Sequence, residues 1–326
     1  MTTPQASASA TANDLRSQLD TLTTEAFRPE LADIDRLPTL DLARTMNAED
    51  AAVPTAVAAR LPQIAAAIDA IAERMARGGR LIYAGAGTAG RMGVLDASEC
   101  PPTFNTDPSV VVGLIAGGPS AMVKAVEGAE DSVELAVADL TALGLTADDT
   151  VIGISASGRT PYAIGAVEFA RTRGALSVGL SCNADSALGA AAEHPVEVVV
   201  GPELLTGSTR LKAGTAQKLV LNLISTIVMI RLGKTYGNLM VDLRASNEKL
   251  RARSRRIVAL ATGAPDEEIE AALSATAGEV KHAILVILGA VDAPTAADLL
   301  ESAHGHLREA LTAARPAPAP AHAPTA

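Results

Sequence analysis

The sequence predicts an α/β protein: a parallel sheet covered by helices on both faces, followed by a small helical subdomain. Three observations carry this. Five short apolar runs, LIYAGAG (81–87), VVVGLIAGG (110–118), TVIGISASG (150–158), ALSVGLSCN (175–183) and PVEVVVGPE (195–203), are rich in β-branched residues. Stretches long enough for helices separate most of them, which is the pattern of parallel strands buried on both sides. Several runs end in small residues (Gly85 and Gly87, Gly117 and Gly118, Ser155, Ser157 and Gly158, Ser181). In an open α/β sheet, ligands bind outside the carboxyl ends of the strands.

Along the chain, residues 1–13 are rich in Ala, Ser and Thr, and residues 1–53 read as a partly disordered N-terminal arm. Apolar residues at helical spacing over 53–75 stop at Gly78-Gly79. The sheet domain is expected over 54–250, with a long helix at 213–232. A helical subdomain is expected over 251–314. Within it, 264–312 reads as three short helices, and Thr295 with Asp298 resembles a capping pair. The tail 315–326 alternates Ala and Pro and is expected to be disordered.

Composition narrows the function. A net charge of −10 repels nucleic acid and anionic membrane surfaces. With no Trp, three Tyr and three Phe, the chain lacks the stacking platforms of single-strand binders. Cys100 and Cys182 form no framework, and the N-terminus has neither a basic nor an apolar segment, so a cytoplasmic location is expected. The apolar stretch 219–230 contains Asn222, Ser225 and Thr226 and falls short of the roughly 20 residues of a span. It reads as a core helix.

Three loops could hold a ligand. Gly85 to Gly90 matches GxGxxG between a strand and a helix. A dinucleotide also needs an acidic residue at the end of the second strand, where Ala116-Gly117-Gly118 stands instead. No cofactor is therefore expected, and Gly87 and Thr88 are read as an anion site at a helix N-terminus. The second loop, Ser155-Ala156-Ser157-Gly158-Arg159-Thr160, offers three hydroxyls and a glycine at another strand-to-helix junction, a convergent donor set for phosphate. The third, 206–215, adds Ser208 and Lys212. Acid–base candidates are Asp96 and Glu99 in LDASECPP, and Glu127, Glu130 and Asp131 in AVEGAEDS. One carboxylate from each segment could flank a ligand. The five histidines have no metal-ligand spacing, and Cys100 reads as a small core residue.

Over about residues 20–312 the chain resembles the N-acetylmuramic acid 6-phosphate etherases of the sugar isomerase (SIS) superfamily. The resemblance is carried by IDRLPTLDLARTMNAED, GRLIYAGAGTAGRMGVLDASECPPTF, LIAGGPSAMVKAVEGAEDS, ISASGRTPY, SCNADS, TGSTRLKAGTAQKLVLN and GNLMVDLRASNEKL. It implies a doubly wound, flavodoxin-like sheet of five strands, and a homodimer with its sites near the subunit interface. It also implies a reaction in cell-wall amino-sugar recycling: water replaces the D-lactyl ether at C3 of the sugar phosphate, with no metal. The family's catalytic glutamates fall on Glu99 and Glu130; the chemistry of the reaction then assigns Glu99 as the acid that protonates lactate and activates water, and Glu130 as the base at C2. Two departures stand out. Ala89 occupies a position where many SIS proteins have Ser, which leaves Thr88 and backbone N–H groups to meet phosphate there. TEAFRPELADID differs from the family's usual N-terminal forms, so no substrate contact is carried over onto it. The competing readings are an SIS-type isomerase and a non-catalytic binder like glucokinase regulatory protein. The latter has two SIS modules where this chain has room for one.

Overall fold

In the computed structural model, residues 21–243 and 248–314 are described. The two termini, including the expected disordered tail, lie outside them. Ahead of the first strand come short turns and the helices α1 (Thr39–Asp50), α2 (Val53–Ala58) and α3 (Leu61–Ala76). The sheet domain then runs β1 (Leu81–Gly85), α4 (Gly87–Phe104), β2 (Val111–Ile115), α5 (Val133–Ala142), β3 (Thr150–Ser155), α6 (Pro161–Thr172), β4 (Leu176–Ser181), α7 (Ala187–Ala191), β5 (His194–Glu197) and α8 (Lys212–Arg231).

The five strands are parallel, in the order β2-β1-β3-β4-β5. Strands β1, β3 and β4 are buried throughout, as their unbroken apolar runs require. The chain leaves β1 toward β2 and returns on the other side at β3, so β1/β3 is the switch point where an open sheet leaves a crevice. The fifth run is shorter than its sequence suggests. Pairing stops at Glu197, Pro195 sits on the edge strand, and residues 198–203 leave the sheet.

Helix α4 lies close against the sheet. A Cβ on Gly90 would come within 2.6 Å of the Gly85 carbonyl oxygen, and one on Gly93 within 2.8 Å of Tyr83 Cβ. Asp96, which is buried, then ties three elements together: it accepts from Tyr83 Oη (2.7 Å) on β1, and from Asn222 Nδ2 (2.6 Å) and Ser225 Oγ (3.2 Å) on α8. One acid–base candidate is thereby accounted for as a structural anchor.

Helix α8 runs for 20 residues because the polar turn 212–218 continues into the apolar stretch. By length and apolarity alone it could cross a membrane, contrary to the shorter segment read from sequence. In the fold, Val220, Leu221, Ile224 and Val228 on this helix are fully buried.

The chain divides into two compact units. Among the described residues, one comprises 21–99 together with Asp107–Val228, and the other Cys100–Thr106 together with 229–243 and 248–314. The division thus falls at 228/229, where the sequence reading sets 250/251. The second unit contains a short hairpin, β6 (Thr235–Tyr236) and β7 (Leu239–Met240), and helices α9 (Glu248–Thr262), α10 (Asp266–Ala275), α11 (Val280–Gly289), α12 (Ala293–Ser302) and α13 (Leu307–Ala314). The third expected helix is two, broken where His304 and Gly305 take positive φ (50° and 80°). The cap of α12 is Asp292, which accepts from Thr295 N (2.9 Å), not the Thr295–Asp298 pair. Val258, Ile284, Leu285 and Ala296 form the core of this unit, and Asp242 bridges Lys234 and the buried Lys281, each at 2.8 Å.

Candidate active site

A cavity of about 640 Å³ opens at the carboxyl edge of the sheet, on the β1/β3 switch point. The loop after β1 contributes Gly87, Thr88 and Ala89, and the loop after β3 contributes Ser155, Ser157, Arg159 and Thr160. Gly87 has φ +53°, the left-handed turn that lets the chain swing from strand into helix.

The second loop is built around its hydroxyls. Ser155 Oγ shares hydrogen bonds with Thr160 Oγ1 (2.8 Å) and Ser157 Oγ (3.2 Å), and accepts from Gly158 N (3.0 Å). Ser157 Oγ accepts from Arg159 N (3.2 Å). Thr160 is the N-cap of α6, yet its hydroxyl does not cap the helix. The first-turn N–H groups of α6 therefore lack a side-chain cap, and an oxyanion can meet both these groups and the hydroxyls. Gly158 shapes the loop rather than lining the cavity: φ is +69°, and a Cβ there would lie 2.4 Å from Ser186 Cβ.

The third loop is arranged differently. The carboxylate of Glu203, fully buried, accepts from the backbone N–H groups of Lys212 and Ala213, both at 2.9 Å, and so fills the N-terminus of α8 from within the chain. Burial, with Glu203 beside it, pushes the Cys182 thiol up to about 12. Lys212 Nζ is committed to Glu49 Oε2 at 2.8 Å, and Arg28 pairs with the same carboxylate at 2.7 Å. The Arg28 hydrogen bond holds the Glu49 carboxyl below its ordinary range; partial burial opposes this and Lys212 adds to it. Ser208 and Lys212 do not line the cavity, whereas Thr209 and Gln217 do.

Of the two glutamates, Glu130 lines the cavity and Glu99 does not. Glu99 is exposed on α4, twelve residues beyond Gly87. At about 1.5 Å per residue it lies roughly 18 Å along the helix from the loop that lines the cavity.

Among the wall residues that sequence reasoning missed are Glu25 and Gln217. Glu25 enters because Asn183 fastens the arm: Thr23 N donates to Asn183 Oδ1 (2.8 Å), and Asn183 Nδ2 donates to Thr24 Oγ1 (3.1 Å). The signal was the polar Asn183 just after β4 in SCNADS. Gln217 is 1% exposed and its Nε2 has no hydrogen-bond partner. A buried donor left unmet is costly, so an amide at a cavity wall points to an acceptor on the ligand.

A doubly wound sheet with a hydroxyl-lined cavity at its switch point defines an α/β protein of the class that takes its ligand outside the carboxyl ends of the strands. Residues 63–171 match the glucokinase regulatory protein N-terminal SIS domain, and 129–227 match the SIS domain. The N-acetylmuramic acid 6-phosphate etherase of Streptomyces avermitilis is 82% identical over 300 residues, covering 92% of this chain and 96% of the relative. The proteins of the same name from Rubrobacter xylanophilus (62%; 83% of this chain, 90% of the relative) and Cronobacter sakazakii (55%; 90% and 99%) are also similar. The chain belongs to the N-acetylmuramic acid 6-phosphate etherase family.

Proposed function

We propose that the chain cleaves the D-lactyl ether of N-acetylmuramic acid 6-phosphate, giving N-acetylglucosamine 6-phosphate and D-lactate in cell-wall amino-sugar recycling. The observation that carries this reading is one cavity holding both a phosphate cradle and a carboxylate, Glu130. The phosphate sits on Ser155, Ser157, Thr160 and the start of α6, with Thr88 and backbone N–H groups of the first loop at its side. Gln217 Nε2 donates to the sugar.

An ether oxygen leaves poorly, so the reaction needs an acidic neighbouring C–H bond. Opening the ring to the aldehyde acidifies the C2 hydrogen. Glu130 removes it, and the C3–O bond breaks as a second acid protonates the departing lactate oxygen. Water then adds at C3 of the unsaturated aldehyde and C2 regains a proton, so the balance is one water consumed and one lactate released. General acid–base groups contribute roughly 10²–10⁴-fold each.

Glu99 is the second acid, and its exposure and its distance along α4 from its own cavity support the reading that it serves the site of another copy. On this reading the working form is a homodimer, with each site joining one chain's cradle and Glu130 to the other chain's Glu99. Cys100 and Cys182 are both buried and neither is in a disulfide, which supports a reducing, cytoplasmic setting.

Turnover in heavy water labelled with oxygen-18 tests the reaction. Elimination and rehydration require lactate release, deuterium at C2 and solvent oxygen at C3. An SIS-type isomerase would release no lactate, and unlabelled oxygen at C3 would rule the elimination out.

A further inference from the structure

The proposed substrate carries a lactyl carboxylate and methyl that no group of the main cavity has been assigned to hold. Beyond Glu130 lies a second, smaller cavity of about 270 Å³, which shares Ala86, Gly87 and Glu130 with the first. Its apolar wall is small: Ala116, Ala121, Ala125 and Val126. Val126 can close over the end of β2 only because residue 117 is glycine; φ there is +88°, and a Cβ would lie 2.7 Å from Val126 Cβ.

Arg91, half-buried in the second turn of α4, is the cation of this wall. Its guanidinium is held by two backbone carbonyls: Nε donates to Met122 O (3.0 Å) and Nη2 to Ala121 O (2.8 Å). Neither bond uses Nη1, which has no partner among the described residues. A fixed guanidinium with a spare donor is suited to a carboxylate.

We propose that this smaller cavity seats the lactyl group, with Arg91 pairing its carboxylate through Nη1 and the alanines and Val126 enclosing its methyl. The proposal rests on the etherase reading. It is consistent with the position of Glu130 on the wall of both cavities, because the base at C2 must stand between the ring and the substituent at C3. Glu127 also lines this space, and with Glu130 it would suit a neutral or cationic occupant, which is the competing outcome.

The test compares ligands with and without the lactyl acid on the full-length protein. In Arg91→Gln, KM for N-acetylmuramic acid 6-phosphate should rise about 10- to 100-fold, the range of a lost charge-assisted hydrogen bond. Affinity for N-acetylglucosamine 6-phosphate, which has no lactyl group, should stay within about twofold, and Arg91→Lys should recover part of the loss. On the unaltered protein, the lactamide ether of the same sugar phosphate should bind about 10-fold or more weakly than the acid. Equal weakening of both natural ligands in a variant that melts normally would overturn the subsite, as would no weakening of either. If Arg91→Gln fails to fold, the lactamide comparison decides, and equal binding of acid and amide overturns the proposal. If the unaltered protein releases no lactate, it is the etherase reading that falls.

Discussion

Two loops at the carboxyl edge of the sheet look alike in sequence and have opposite fates. Both precede a helix, and both are crowded with Ser, Thr and Gly. At 155–160 the hydroxyls bond to one another, and the N-terminus of α6 has no side-chain cap. At 206–215 the helix start already holds an anion, the Glu203 carboxylate, and the nearby cation already holds Glu49. The donor chemistry is shared; what differs is whether the chain has satisfied it from within. A binding loop is therefore recognised by the groups it leaves unmet, and donor-rich composition alone does not distinguish it from a structural one.

Several substitutions would break or sharpen this contrast. The largest effect belongs to the proposed base beside the open loop: Glu130→Gln should lower lactate release by about 10³-fold, together with C2 deuterium exchange, while phosphate-ligand affinity is kept. If exchange survives, Glu130 is not the C2 base. In the closed loop, Glu203→Gln presents an amide N–H₂ to a backbone N–H and should cost about 2 kcal/mol in chemical denaturation with little change in KM. Ser155→Ala should do the reverse, raising KM roughly 10-fold with a smaller loss of stability, and equal KM effects in the two loops would abolish the distinction. Mixing Glu99→Ala chains with Glu130→Ala chains should restore part of the activity that each lacks, since a mixed pair has one intact site. No recovery after subunit exchange would return Glu99 to its own chain. The smallest effect is in pH. Glu49 has a folded-state pKa below its unfolded value, so its contribution is present above the ordinary carboxylate range and is lost as the pH falls through the lowered value. Melting curves of the unaltered protein and Glu49→Gln should therefore differ by about 1 kcal/mol near neutrality and converge in acid.

The strands were legible because burial on both faces demands unbroken apolar runs, and that demand is local. The open loop was legible for the same reason: its three hydroxyls and glycine sit within six residues. Glu203 was not, because a carboxylate nine residues before the N–H it caps resembles any loop acid until the chain folds back. Glu25 was equally hidden, since its place depends on Asn183, far away in sequence. The broken third helix was missed at His304-Gly305, where one residue without the freedom of glycine also takes a positive φ.

The tie at Asp96 reaches further than the packing of one helix. In the proposed dimer, α4 begins at its own chain's ligand and presents Glu99 to the partner's, so a slip of this helix along its axis would misplace groups in two sites at once. Tyr83, Asn222 and Ser225 stand against such a slip. Sequence drift should treat these four positions as one character: a relative that loses the acid should lose its three donors with it, and chains with only part of the set should be rare.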